Sequence, residues 1–251
     1  MLRCVLAAIA LAASMLRAAP ALAVDEIQVY NGEIAGVRQF TLQQHLNYGF
    51  RARRAADYPG ALIANGALNG TPEFAYGVTP WYEVGLYLPF AARDDRFYPG
   101  GFKLRNLLVS PGAAERDVFF GLNTELSWQP RRFSRSFWNL EFRPILGARS
   151  RRWEFITNPI VDFGIGGRQP SAFVPANRIA YAVREDWALG VETYSDTGPV
   201  GRFLPFNKQA HQVFAVTDFS FGRFGINFGV GRGLTPASDR WVVKTILGWS
   251  F

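Results

Sequence analysis

Phe40-Thr41-Leu42-Gln43-Gln44-His45-Leu46-Asn47-Tyr48-Gly49-Phe50 changes character at almost every step. The even positions are Phe40, Leu42, Gln44, Leu46, Tyr48 and Phe50, and the odd ones are Thr41, Gln43, His45, Asn47 and Gly49. A period of two is the signature of a strand whose faces meet different surroundings. Here it outlasts the roughly 5–6 residues of an ordinary soluble strand and is long enough to cross a bilayer at a tilt.

The same dyad returns along the chain. Phe74, Tyr76 and Val78 alternate with Glu73, Ala75 and Gly77, and Tyr82, Val84, Leu86, Leu88 and Phe90 with Glu83, Gly85, Tyr87 and Pro89. Phe120, Leu122, Leu126 and Trp128 alternate with Gly121, Asn123, Glu125 and Ser127. Trp138, Leu140, Phe142 and Leu146 alternate with Asn139, Glu141, Arg143 and Gly147, and Phe224, Ile226, Phe228 and Val230 with Gly225, Asn227, Gly229 and Gly231. A soluble β-sandwich alternates too. Large aromatics near the strand ends, and an opposite face of small or charged residues, favour a transmembrane barrel.

The fold class read from this pattern is all-β, an antiparallel up-and-down transmembrane barrel of about 12 strands. The strands are predicted at 37–49, 72–79, 81–91, 101–110, 117–128, 136–147, 151–163, 174–184, 186–196, 209–221, 223–233 and 239–251. Short turns alternate with longer links at 50–71, 92–100, 129–135, 164–173, 197–208 and 234–238. Such alternation is expected of periplasmic turns opposite outer loops. The fourth strand reads worst, because Leu107 and Val109 break its alternation. The tenth, around Gln212 to Phe219, is also weak.

Residues 1–23 differ from everything that follows. Arg3 precedes an apolar stretch from Val5 to Leu16, and Ala21-Leu22-Ala23 offers a small-x-small cleavage site before Val24-Asp25-Glu26. This is the pattern of a secretory signal peptide, so 24–251 is expected as the mature barrel, with 24–36 a short periplasmic segment. The single cysteine, Cys4, leaves with the leader, and no disulfide or thiol chemistry is expected of the remainder. Losing Arg3 and Arg17 as well takes the formal charge from +7 to about +5. In an exported chain, that balance points to outer-membrane lipid and lipopolysaccharide rather than to nucleic acid. Beyond the leader no apolar run is long enough for a spanning helix, so any membrane crossing is made by strands.

At the far end Trp241, Val243, Thr245, Leu247, Trp249 and Phe251 share one face. A terminal aromatic after alternating apolar residues resembles the signal read by the barrel-assembly machinery, here Trp249 and Phe251, although Ile246 stands where that signal usually has Gly. The run from Pro72 to Pro89 contains Tyr76-Gly77-Val78-Thr79, a tight turn, and Val84-Gly85-Leu86-Tyr87-Leu88-Pro89. That hairpin resembles the outer-membrane barrels of the meta-pathway phenol-degradation transporter-like group. The resemblance implies a Gram-negative outer-membrane location and passive passage of small solutes, hydrophobic or aromatic ones among them. It supplies no binding residues.

The dyads direct Glu73, Glu83, Lys103, Arg105, Glu125, Glu141, Arg143, Glu154, Asp162, Arg178, Arg184, Glu192 and Lys244 inward. Charges of both signs in a lumen either line a water path or pair across strands and fill it. Glu125, Glu141 and Arg143 fall on adjacent strands and suit such a ladder. Two readings therefore stand: a porin-like channel, or a closed structural barrel using Arg-rich loops. Arg51, Arg53, Arg54, Arg131, Arg132 and Arg135 fall in outer loops and are candidates for lipopolysaccharide phosphates. Arg149, Arg151 and Arg152 fall at a periplasmic turn. An enzyme is not expected. Only His45 and His211 are present, neither has a Ser two positions on, and no Gly-x-Ser-x-Gly elbow occurs. No metal site and no cofactor are expected.

Overall fold

A computed structural model describes residues 26–166 and 170–251; the expected leader lies outside the described residues. Twelve staves form the wall. They are β1 (Phe40–Arg51), β2 (Leu68–Thr79), β3 (Tyr82–Tyr87, continued by Phe90–Arg93), β4 (Arg96–Pro99, continued by Phe102–Val109), β5 (Val118–Trp128) and β6 (Trp138–Ser150). Then come β7 (Trp153–Asn158, continued by Val161–Ile165), β8 (Ala172–Phe173, continued by Ala176–Arg184), β9 (Trp187–Asp196), β10 (Ala210–Phe221), β11 (Phe224–Gly233) and β12 (Trp241–Ser250).

Each stave pairs antiparallel with the next, and β1 pairs with both β2 and β12. The sheet is therefore a closed barrel, in which the ring of staves has no free edge and only the extension Arg96–Pro99 is paired on one side alone. The brief pauses in β3, β7 and β8 fall at Pro89, Pro159 and Pro175, residues that have no N–H to give to a ladder. The pause in β4 falls at Gly101, where φ is +89°.

Two expected loops change. The link 92–100 is a hairpin instead. Arg93 pairs with Arg96, and Asp94 and Asp95 both take positive φ, 51° and 57°. Asp tolerates that conformation, which matches the twist of the flanking strands. The first loop shrinks to 52–67 because β2 starts at Leu68. No helix among the described residues is long and apolar enough to cross a membrane.

The outer face is an apolar belt: Phe74, Leu86, Leu104, Phe120, Phe142, Phe155, Ile179, Val191 and Phe228 are all exposed. Aromatic contacts collect at both rims. Trp187 stacks on Phe219 and Trp249 on Phe251 at the short-turn end, and Phe50 stacks on Trp241 and Trp128 on Phe137 at the long-loop end. Trp and Phe at two levels around an apolar band suit the aromatic girdles of two membrane–water interfaces.

Candidate functional site

The interior is crossed by the segment that precedes β1. Residues 26–36, expected in the periplasm, run inside the barrel instead, with Ile27, Val29, Tyr30 and Ala35 buried. The cause is a set of inward groups that this backbone satisfies. Asn158 accepts from Tyr30 N at 2.7 Å and donates to Tyr30 O at 3.1 Å. Lys244 donates to Ile27 O (3.1 Å), Arg143 to Gln28 O (3.2 Å) and Arg149 to Asn31 O (3.1 Å), while Ala35 N donates to Glu83. A buried irregular segment persists only when its backbone groups are paired in this way.

Apolar contacts reinforce the docking. Val29 and Tyr30 pack with Leu107, Val109, Phe119, Ile145 and Ile156, and Ile27 packs with Phe214, Val216 and Val242. Leu107 and Val109 thus break the dyad of β4 because their partner is the internal segment rather than water. The same mark, an apolar residue on the inward parity, recurs at Phe119, Ile145, Ile156, Phe214 and Val242. It was the available sequence signal for an occupied lumen.

The charged positions gather into three groups. In the first, Arg105 pairs with Glu73 at 2.7 Å and with Glu83, and donates to Tyr87 Oη at 2.7 Å. Tyr87 and Tyr30 hydroxyls are 2.6 Å apart, and His45 Nε2 is 3.0 Å from Glu73. In the second, Lys103 lies 3.5 Å from Glu26 and 3.8 Å from Glu125, and Arg143 pairs with Glu141 at 2.7 Å over the Tyr30 ring. Glu125 and Glu141 are direct cross-strand partners. In the third, Arg178 pairs with Glu192 (2.7 Å), Glu154 (3.4 Å) and Asp218, and Lys244 pairs with Glu192. Asp162 lies opposite Glu141. Arg184 stands apart: it is exposed at the β8–β9 turn, paired with Asp186 at 3.2 Å, because the strand ends before its side chain can reach the interior.

Two cavities flank the segment. The larger, about 470 Å³, lies between it and the inner faces of β10, β11, β12 and β1, including Asn227, Gly225 and Gly248. The smaller, about 70 Å³, lies toward the long loops near Asp239 and Gln212. Gln28 lines both.

The loop 52–67 reaches across the long-loop mouth. Arg53 pairs with Asp57 and, at 3.0 Å, with Asp239 in the neighbouring β11–β12 link. Leu62 N donates to Arg132 O, and Arg135 donates to Asp57 O at 2.8 Å and covers the Tyr58 ring. Burial lifts the Asp57 carboxyl above its ordinary range even beside Arg53, and pushes Tyr58 up to about 12. Arg53 and Arg135 are thus engaged within the loops, whereas Arg51, Arg54, Arg131 and Arg132 remain exposed. Arg131 donates to Arg135 O, and Arg132 lies over Tyr98.

His211 has a partner that spacing along the chain could not reveal. Pairing sets Ser195 opposite it, with Oγ 2.8 Å from Nδ1, and Gln209 Oε1 is 2.8 Å from Nε2. A cross-strand pair of this kind persists without any catalytic role.

No protein-family model matches the chain, and no curated protein matches it. Solved structures do. An outer membrane channel described as COG4313, from Pseudomonas putida F1, superposes with a TM-score of 0.62 at 13% identity, over 90% of this chain and 100% of that one. This is an outer-membrane β-barrel fold. The NanC porin matches with a TM-score of 0.56 at 8% identity, over 84% of this chain and 98% of that one. The KdgM porin, solved in complex with disordered oligogalacturonate, matches at 0.54 and 10%, over 85% and 99%. At such identities the likeness concerns the fold.

Proposed function

We propose that this chain is exported by residues 1–23, inserted into a Gram-negative outer membrane with Trp249 and Phe251 as its assembly signal, and acts there as a passive channel for small solutes. Hydrophobic or aromatic solutes are the class that the hairpin resemblance implies. One observation carries the reading: two cavities lie along residues 26–36 in a lumen lined by charges of both signs, and that segment is held by side-chain contacts rather than by a strand ladder. No covalent chemistry is involved. Displacement of the segment joins the cavities, and the fixed charges then set which solutes pass. Exposed Arg51, Arg54, Arg131 and Arg132 would contact lipopolysaccharide phosphates at the rim.

Conductance across a planar bilayer tests this. A variant lacking residues 26–36 is expected to conduct roughly threefold or more above the full mature chain. A folded variant that stays silent would refute the channel and favour a closed structural barrel, the reading supported by the density of ion pairs around Arg105 and Arg178.

A further inference from the structure

We propose that residues 54–64 form a strap that opens and closes the long-loop mouth, with Arg135 as its catch. This adds a gate to the channel reading, and it rests on that reading for its effect on current but not for the motion.

The strap is a loop whose two ends meet. Asn65 N donates to Arg53 O at 3.2 Å and Ala52 N to Asn65 Oδ1 at 3.1 Å, so Arg53 and Asn65 lie side by side at its base. A loop of this length with adjoining ends is suited to move as one unit about its base. The base itself is fixed. Arg53 donates to Asp239 Oδ1 through its backbone N at 2.8 Å and its Nε at 3.0 Å, and Arg93 Nε donates to Asn65 O at 3.1 Å. Asp239 sits in the β11–β12 link, which is pinned in turn to residues 209–212. Thr235 Oγ1 donates to Gln209 O at 2.7 Å, Ser238 Oγ to His211 O at 2.8 Å, and Gln212 Nε2 to Asp239 O at 3.2 Å.

The tip reaches the opposite rim. Leu62 N donates to Arg132 O at 2.9 Å, and Arg135 donates to Asp57 O at 2.8 Å with its guanidinium 4.6 Å from the centre of the Tyr58 ring. Arg132 and Arg135 lie in the β5–β6 link. In a ring of twelve staves that link stands opposite the β11–β12 link, so a loop bonded to both crosses the mouth. Asp239 and Gln212 also line the smaller cavity, which places the base of the strap at its rim.

The two ends are held unequally. The base has a buried carboxylate, Asp239, that accepts twice from Arg53. The tip has a backbone bond and one guanidinium laid on a carbonyl and a ring. Breaking the tip contacts leaves the base intact, and segments that gate are drawn from the weakly held end of a structure. Tyr58 favours the same motion. It is only 8% exposed, and its hydroxyl has no hydrogen-bond partner among the described residues. Closure thus carries the cost of a buried unpaired hydroxyl, which lifting the tip into water relieves. Arg135, by covering the ring, offsets that cost and holds the strap down.

The test uses the full mature chain. Hydrogen exchange read by mass spectrometry in detergent follows the Leu62 amide. Arg135→Ala is expected to speed its exchange about tenfold, the loss of one charge-assisted contact, with exchange in the staves unchanged. Heat-modifiable gel migration verifies that the variant is folded. A second variant, Leu62→Cys with Arg132→Cys, ties the tip to the rim at positions whose backbones are one hydrogen bond apart. The single native cysteine, Cys4, lies in the expected leader and does not compete. Forming this disulfide is expected to cut planar-bilayer current about fivefold or more, and reductant to restore it. Unchanged Leu62 exchange in folded Arg135→Ala, or a measurable current that is the same with the disulfide formed and reduced, would overturn the strap. A barrel silent in both redox states that still shows the faster exchange keeps the strap and loses the channel. One that conducts and responds to neither change loses the strap and keeps the channel.

Discussion

The two walls of the lumen are built from the same dyad yet do opposite things. Across β3 to β7 many inward side chains are long or bulky, and Tyr87, Arg105, Leu107, Arg143, Ile145 and Ile156 among them are buried. They hold residues 26–36 by ion pairs, hydrogen bonds and apolar packing. Across β11, β12 and β1 the inward positions at the short-turn end are Gly225, Gly248, Asn227 and Thr41, and the larger cavity lies against them. A Cβ added at Gly225 or Gly248 would meet nothing nearer than 3.8 Å. The barrel is therefore occluded asymmetrically. The contacts to the segment are densest on β3 to β7, with Lys244 and Val242 of β12 holding Ile27, and the short-turn end of β11, β12 and β1 leaves room beside it, so a solute path is expected along the glycine wall.

That contrast can be broken at its strongest point. Arg105→Ala leaves Glu73 and Glu83 buried without their cation, and should cost about 3–5 kcal/mol, read as a lowered urea midpoint. A change below about 1 kcal/mol would mean that the binding wall does not depend on this centre. Tyr30→Ala removes the ring beneath Arg143 and the hydroxyl that joins Tyr87. It should cost about 3 kcal/mol and raise the open-channel fraction, because it releases the segment from that wall. Stability lost with conductance unchanged would uncouple the segment from passage.

The glycine wall is probed in the opposite sense. Gly225→Trp should lower single-channel current by roughly half while leaving the unfolding midpoint within experimental scatter, since the added ring enters open space. Unchanged current would place the path elsewhere. The smallest effect is expected at Arg184, the charged residue that remains outside the interior. Arg184→Ala should alter stability by no more than about 0.5 kcal/mol and leave ion selectivity untouched. A selectivity change there would mean that the short-turn mouth, not the lumen, sets the filter.

Much of the wall could be read without coordinates, since parity along a strand is local: each side chain points opposite to the last whatever its neighbours do. The twelve staves and the apolar belt follow from that rule. The short hairpin at Asp94-Asp95 did not, because two consecutive aspartates read as loop until both are seen to take left-handed backbone. The occupied lumen left a trace in Leu107 and Val109, which look like faults in a dyad until the residues they pack against are known. Ser195 and His211 lie sixteen positions apart, and only strand register makes them neighbours.

By itself the sequence determined an all-β chain with one greasy and one mixed face, because alternation depends on backbone geometry alone. Where residues 26–36 lie and which carboxylate meets which guanidinium were decided by the tertiary structure. Those outcomes depend on register, depth and closure, quantities that arise only when twelve strands are joined into a ring and distant side chains are brought within hydrogen-bonding reach.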